Sequence, residues 1–189
     1  PDVPAVSDAG ACTAVVNYTI PTFDDATCDG LGLNGTLVSG LGTGGTFPVG
    51  VSTEEYSYTD AAGNTATCSF TVTVTDGEAP TMNCPVDADV QCSADEIPTV
   101  HTFFGFLGQG GLATDACGID ITSFQAIGDV QAGNIVTRTY AVLDVNGLPA
   151  FCSQTITIID TVDPVFQTCP YNITYSSHPD GCRVQVNWT

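Results

Sequence analysis

One block of this chain is written twice, 84 residues apart, and it limits the fold more than any other feature. Tyr56-Ser57-Tyr58-Thr59-Asp60-Ala61-Ala62-Gly63-Asn64, then Cys68, then Thr71-Val72-Thr73-Val74-Thr75-Asp76 and Pro80, returns as Tyr140, Asp144, Gly147, Cys152, Thr155-Ile156-Thr157-Ile158-Ile159-Asp160 and Pro164. Each copy runs on into a Cys-Pro pair, Cys84-Pro85 and Cys169-Pro170. Within the block, β-branched and aromatic residues alternate with polar ones at period two, which predicts strands with one face in a core. Between the two runs, Asp60 to Asn64 supplies residues that tolerate positive φ or bond their own backbone, so the runs read as a hairpin. Asp144-Val145-Asn146-Gly147 does the same in the second copy, and Thr46-Phe47-Pro48-Val49-Gly50 reads as a turn leading into a strand. A block recurring at fixed spacing means a tandem array.

The ends continue the pattern. Pro1-Asp2-Val3 through Cys12, with Val16-Asn17-Tyr18-Thr19, is echoed by Pro170 through Cys182 and Val186-Asn187-Trp188-Thr189. The expectation is a stretch cut from a longer chain, with a module at 1-77 lacking its first strand, a complete module at 78-161, and the start of a third at 162-189. The joints around Asp76 to Pro80 and Asp160 to Pro164 are too short to act as flexible linkers. No segment shows convincing helical spacing, so short strands and frequent turns predict an antiparallel sandwich in each module.

Charge narrows the partners. With 2 Lys+Arg against 21 Asp+Glu the formal net charge is -19, a surface that repels nucleic acid and anionic lipid. High acidity often accompanies disorder, yet 43% of residues are hydrophobic and they fall in strand-like runs, which predicts a folded acidic protein. No apolar run is long enough for a membrane helix. Nine cysteines without a single C-x-x-C point to an oxidising compartment rather than to zinc or dithiol chemistry. Sequons at Asn17, Asn34, Asn172 and Asn187 agree with an extracellular chain, although Thr-rich strands also produce such triplets by chance.

Taken together, Cys-Pro at the module start, Asp-x-x-Cys, Phe-Pro-x-Gly, Tyr-x-x-x-Asp-x-x-Gly-Asn and Cys-x-Phe-x-Val-x-Val-x-Asp resemble the hyalin repeat (HYR) family. The likeness is close over residues 1 to 77. It is looser over 78 to 160, where Phe-Pro-x-Gly is absent and Gly147-Leu148 stands in place of Gly-Asn. It implies all-β, tandem immunoglobulin-like antiparallel sandwiches stapled by disulfides, in adhesive or matrix proteins with no catalytic role. It also implies a pairing: Cys84 with Cys152, Cys92 with Cys117 and Cys12 with Cys28, leaving Cys68, Cys169 and Cys182 to partners outside this stretch. Spacing alone permits two other connectivities for four cysteines.

Three further groups of residues are candidates for chemistry. Asp76, Glu78, Asp160 and Asp163 lie at the expected joints, where calcium is the candidate cation; no cofactor is required, and the alternative is that they are solvated turn acids. Asp24-Asp25, Glu54-Glu55 and Asp87 with Asp89 are further acidic pairs. Phe103, Phe104, Phe106 and Leu107 lie in a glycine-rich stretch between Cys92 and Cys117, a spacing of 25 residues against 16 for Cys12 to Cys28. This stretch reads either as a contact loop for a neighbour or as extra core. His101 and His178 fall in different modules without a partnered nucleophile, and adjacent Asp24 and Asp25 in a strand point to opposite faces, so no enzyme is expected.

The expected function is therefore a structural or adhesive array in a cell-surface or matrix filament. Its partners would be neighbouring modules, copies of itself and other surface glycoproteins, with no nucleic acid and no membrane insertion. The alternative is a ligand-binding ectodomain, of carbohydrate or receptor type, built from the same sandwiches.

Overall fold

The computed structural model describes residues 2–25 and 30–165. One compact unit spans Pro1–Ile159, and Asp160–Thr189 form a second unit. The regular secondary structure of the first unit is almost entirely strand, in two sets of sheets that share no strand.

The first set uses β1 (Asp2–Val6), β2 (Thr13–Val16), β3 (Thr22–Asp25), β4 (Gly30–Asn34), β5 (Thr36–Ser39), β6 (Gly45–Pro48), β7 (Gly50–Thr59) and β8 (Thr65–Thr75). The order β1-β8-β7-β5 makes a four-stranded sheet, and β2 pairs with β6 in a facing ribbon. The alternation decides which residues go inside. Phe70, Val72 and Val74 point inward and pack with Tyr56 against Ala14, Val16 and Phe47. On the other face the Thr71 and Thr73 hydroxyls donate to Asp2 Oδ1 at 2.9 and 2.8 Å, which holds the Asp2 carboxyl below its ordinary range. The β7–β8 hairpin closes as the residues require: Asp60 Oδ1 accepts the Asn64 N–H at 2.7 Å, Oδ2 accepts the Asn64 amide at 2.7 Å, and Gly63 takes φ 91°.

The second set uses β9 (Thr81–Asn83), β10 (Ala88–Val90), β11 (Leu112–Thr114), β12 (Ile119–Ala132), β13 (Ile135–Asp144) and β14 (Pro149–Ile158). Its four-stranded sheet runs β10-β14-β13-β12, with β9 and β11 paired separately. β10 lies parallel to β14 just as β1 lies parallel to β8. The turn from β13 to β14 has Asp144 Oδ1 accepting the N–H groups of Asn146 and Leu148, both at 2.8 Å.

Two short helices depart from the sequence expectation, the first a single 3-10 turn at Ala94–Glu96. Phe103–Gly108 is an α-helix, α1, started by Thr102, whose hydroxyl accepts the Gly105 N–H at 3.1 Å. Residues three apart share a helix face, so Phe103 and Phe106 turn inward together and meet Phe124 and Tyr140, with ring centroids 5.1 to 6.5 Å apart among these four. Two glycines and three phenylalanines gave no helical signature because tertiary burial, not propensity, holds so short a helix.

Each set also buries a charge at the same place in its sheet. Glu54, two residues before Tyr56, is 0% exposed; Arg138, two before Tyr140, is 1% exposed. Glu54 accepts N–H groups from Leu41 and Gly42 at 2.8 Å each, and the Tyr18 hydroxyl donates to it at 2.6 Å. Burial and that bond to a carboxylate push the Tyr18 phenol well above its ordinary value. Arg138 makes a forked pair with Asp129, two bonds of 2.9 Å, and donates to the Ile97 carbonyl at 2.7 Å. The Asp129 bond holds the guanidinium above its ordinary value. Both residues share the inward parity of the tyrosine that follows, so strand alternation carries the signal; the acidic pair Glu54-Glu55 is not a surface cluster.

Candidate functional site

The place where the two sets of sheets meet is built from local chemistry first. β8 ends at Thr75, and Asp76 begins the short connection to β9. Asp76 Oδ1 accepts the Glu78 N–H at 3.2 Å and the Ser7 hydroxyl at 3.3 Å, so a turn acid ties the outgoing chain to the end of β1. Glu78 Oε2 accepts the Gly10 N–H at 2.6 Å. From the other side, the Asn146 amide at the β13–β14 turn donates to Asp76 Oδ2 at 2.8 Å.

A covalent bond crosses the same joint. Cys12, in the connection after β1, is bonded to Cys117, in the loop before β12, with Cα atoms 4.7 Å apart and a sequence separation of 105. The Cys117 loop is held ready for this, since Asp115 Oδ1 accepts the N–H groups of Cys117 and Gly118 at 2.7 and 3.1 Å and Gly118 takes φ 111°. The Val145 N–H donates to the Gly118 carbonyl at 3.1 Å, fixing the loop to the β13–β14 turn. Beside the bridge lies an open cleft of about 490 Å³ lined by Gly10, Glu78, Ala79, Thr81, Thr114 and Asp115.

The bridge corrects the pairing expected from the resemblance. Cys12 is bonded to Cys117 and therefore not to Cys28, and Cys92 is an exposed thiol, not the partner of Cys117. The reason is geometric. Parallel pairing of β1 with β8 brings the Cys12 connection to the end of the sheet that faces the next set, where Cys117 stands. Cys84 is joined to Cys152, Cα atoms 5.4 Å apart, tying the start of the second set to its last strand. Cys68 is a half-buried thiol. Cys28, Cys169 and Cys182 lie outside the described residues, as does His178.

The other candidates divide. Asn17 and Asn34 are exposed, as a glycan acceptor must be; Asn172 and Asn187 lie outside the described residues. Phe103 and Phe106 are core, which corrects their reading as interface residues, while Phe104 is 71% exposed and Leu107 is partly exposed. Among the acids, Asp76, Asp115 and Cys117 bring ligand atoms within 4.8 Å of one another. The Cys117 sulfur is already spent in the disulfide, and the Asp76 oxygens accept hydrogen bonds from Ser7, Glu78 and Asn146. Asp160 Oδ1 accepts the Val162 N–H at 3.0 Å in its own turn. His101 is exposed in the connection before α1.

A family model described as the HYR domain matches residues 5–74, the span of the first set of sheets. The match assigns residues 5–74 to the HYR domain. The chain is similar to a protein called Hyalin from Strongylocentrotus purpuratus, 28% identical over 186 residues, covering 95% of this chain and 15% of that one. It is also similar to Hyalin from Lytechinus variegatus, 30% identical over 168 residues, covering 84% of this chain and 30% of that one. The chain thus spans less than a third of the length of these curated relatives. Among solved structures it matches the human Desmocollin-1 ectodomain at TM-score 0.28 and 12% identity, over 84% of this chain and 39% of that one. It matches the Protocadherin GammaB4 extracellular domain at TM-score 0.29 and 12% identity, over 84% and 31%. Within the HYR match lie Cys12, Glu54 and the β7–β8 hairpin; Cys117 lies beyond it. Among the described residues, no helix is long and apolar enough to cross a membrane.

Proposed function

We propose that this chain serves as a stretch of an extracellular, non-catalytic HYR array with an adhesion-type role, in which joined modules carry load and present surface to copies of themselves. The observation that carries the reading is the Cys12–Cys117 bond across the joint. An enzyme needs a cleft with converging reactive groups, whereas a load-bearing array needs joints that do not open. Here the cleft at the joint is lined by turn residues and the ends of β9 and β11, and the joint itself is covalent. With Cys84–Cys152 closing the second set from its start to its last strand, tension along the chain meets two covalent cross-links before it can peel the sheets apart. Similarity to two Hyalins, each several times longer than this chain, supports the array reading. Exposed Asn17 and Asn34 support a glycosylated, cell-surface or matrix location.

One observation favours the ligand-binding reading. Phe23 and Tyr58 stack with centroids 6.2 Å apart at the edge of a cleft of about 220 Å³ that also contains Asp24, Asp60 and Asn64, a lining suited to a sugar. Bead aggregation and a glycan array separate the two. The adhesion reading expects beads coated with the protein to cluster, and saccharides to show no saturable binding. Dispersed beads together with saturable binding of one saccharide, lost on Tyr58→Ala, would replace it with the ectodomain reading.

A further inference from the structure

The joint between the two sets uses a corner that the second set builds again at its far end. β1 runs parallel to β8 and β10 runs parallel to β14, so in each set the first of these strands ends where the last strand hands the chain on. A backbone bond closes the corner in both places. The Ser7 N–H donates to the Thr75 carbonyl at 2.9 Å, and the Ile159 N–H donates to the Val90 carbonyl at 2.7 Å. A cysteine follows in each connection, Cys12 after β1 and Cys92 after β10. Cys12 is bonded into the next set, while Cys92 is an exposed thiol.

The second corner is ordered as a docking point. Glu96 accepts the Cys92 N–H at 2.7 Å and the Gln91 N–H at 3.2 Å, which fixes the backbone that carries the thiol and holds the Glu96 carboxyl below its ordinary range. An open cleft of about 320 Å³ lies beside Cys92, with Asp95, Asp129, Gln131, Val136 and Ile158 in its lining. The tip of the β12–β13 hairpin reaches the same end, since Ile135 pairs with Thr157, and it leaves Val130 71% exposed and Ile135 43% exposed.

We propose that Cys92 is the attachment point for a following module of the same chain. Its Sγ forms a disulfide with the cysteine that stands in that module where Cys117 stands in this one, on a turn of the Asp115-Ala116-Cys117-Gly118 kind. The staple seen at Cys12–Cys117 then recurs from joint to joint. Forming it removes two protons and two electrons from two thiols. A disulfide oxidant, such as a protein dithiol oxidase in its disulfide form or oxidised glutathione, accepts them and leaves as two thiols. The partner belongs to the same chain because β14 hands the chain on at this corner, and a covalent tether raises the effective concentration of a linked partner to the order of millimolar, above that of free copies. Alkylation of a thiol so placed would block the joint.

The test is disulfide mapping of the protein isolated unreduced. It is unfolded in denaturant with N-ethylmaleimide, cleaved by pepsin at acid pH to suppress exchange, and analysed by mass spectrometry. The expected result is a maleimide-free Cys92 peptide joined to the cysteine of the following module that matches Cys117, in protein that runs as a single chain on a non-reducing gel. Maleimide on Cys92, or a bond from Cys92 to Cys117, Cys68 or Cys28, would overturn the proposal. So would a dimer through Cys92 that collapses on reduction. The inference rests on the array reading in needing a further module. Chain mass decides that separately: further modules with an alkylated Cys92 would remove the staple and leave the array.

Discussion

Replacing both Cys12 and Cys117 by Ser should uncouple the two sets of sheets, and the structure gives the size of the effect. With the first set folded, Cys12 is held at the end of β8, so the bridge restrains the unfolded second set from Asp76 to Cys117. That is a loop of about 40 residues, for which the chain-entropy model gives about 4 kcal/mol. If both sets unfold together the loop is the 105-residue separation of the cysteines, and the model gives about 5 kcal/mol. The non-covalent contacts that remain, Gly10 with Glu78 and Asn146 with Asp76, are exposed hydrogen bonds contributing no more than about 1 kcal/mol each. Calorimetry should therefore show the second set melting roughly 16 to 32 °C lower, in a transition separated from that of the first. Urea titration with a probe in each set gives the free energies independently. A double variant whose second transition moves by less than about 1 kcal/mol would refute the reasoning, because the bridge would then not restrain the unfolded chain.

Four further outcomes are expected. Phe106→Ala, which empties a fully buried site among Phe103, Phe124 and Tyr140, should cost about 3 to 5 kcal/mol in urea, whereas Phe104→Ser should stay within about 0.5 kcal/mol. Glu54→Ala orphans the Leu41 and Gly42 N–H groups and leaves the Tyr18 hydroxyl only its 2.9 Å bond to the Tyr56 hydroxyl, and should cost about 3 kcal/mol, read as a lower urea midpoint of the first set. Asp2, Asp60, Glu96 and Asp120 are held below their ordinary values by hydrogen bonds, chiefly from Thr73, Asn64, Cys92 and Thr122 respectively, so the unfolded chain takes up protons first as pH falls. Their contribution is present above the unfolded values of about 4 and is lost as pH drops through the lower folded ones; at high salt, which screens the acidic surface, the urea midpoint should hold from pH 7 to 5 and fall towards pH 3. Calcium at millimolar concentration should raise the melting temperature no more than magnesium does, since the Asp76 oxygens already accept hydrogen bonds; a larger rise specific to calcium would refute this and establish a calcium site.

What the residues determined by themselves was local. Alternation put Val72, Val74 and Ile156 in the core, and Asp60 to Asn64 and Asp144 to Gly147 set two hairpins, because side-chain parity and turn chemistry act over a few residues. The repeated block also made two equivalent sheets expected, and both carry the parallel first strand. Tertiary structure decided the rest. Phe103 and Phe106 became helix and core because an aromatic pocket received them, a gain no five-residue window contains. Glu54 and Arg138 could be buried only because Tyr18 with a loop's N–H groups, or Asp129 with a carbonyl, came to them from distant positions. Above all, the cysteines found partners by which ends of the sheets abut. The sequence supplied their number and redox setting, but Cys12 reaches Cys117 because a parallel strand carries its connection to the joint, a fact of packing that spacing along the chain does not encode.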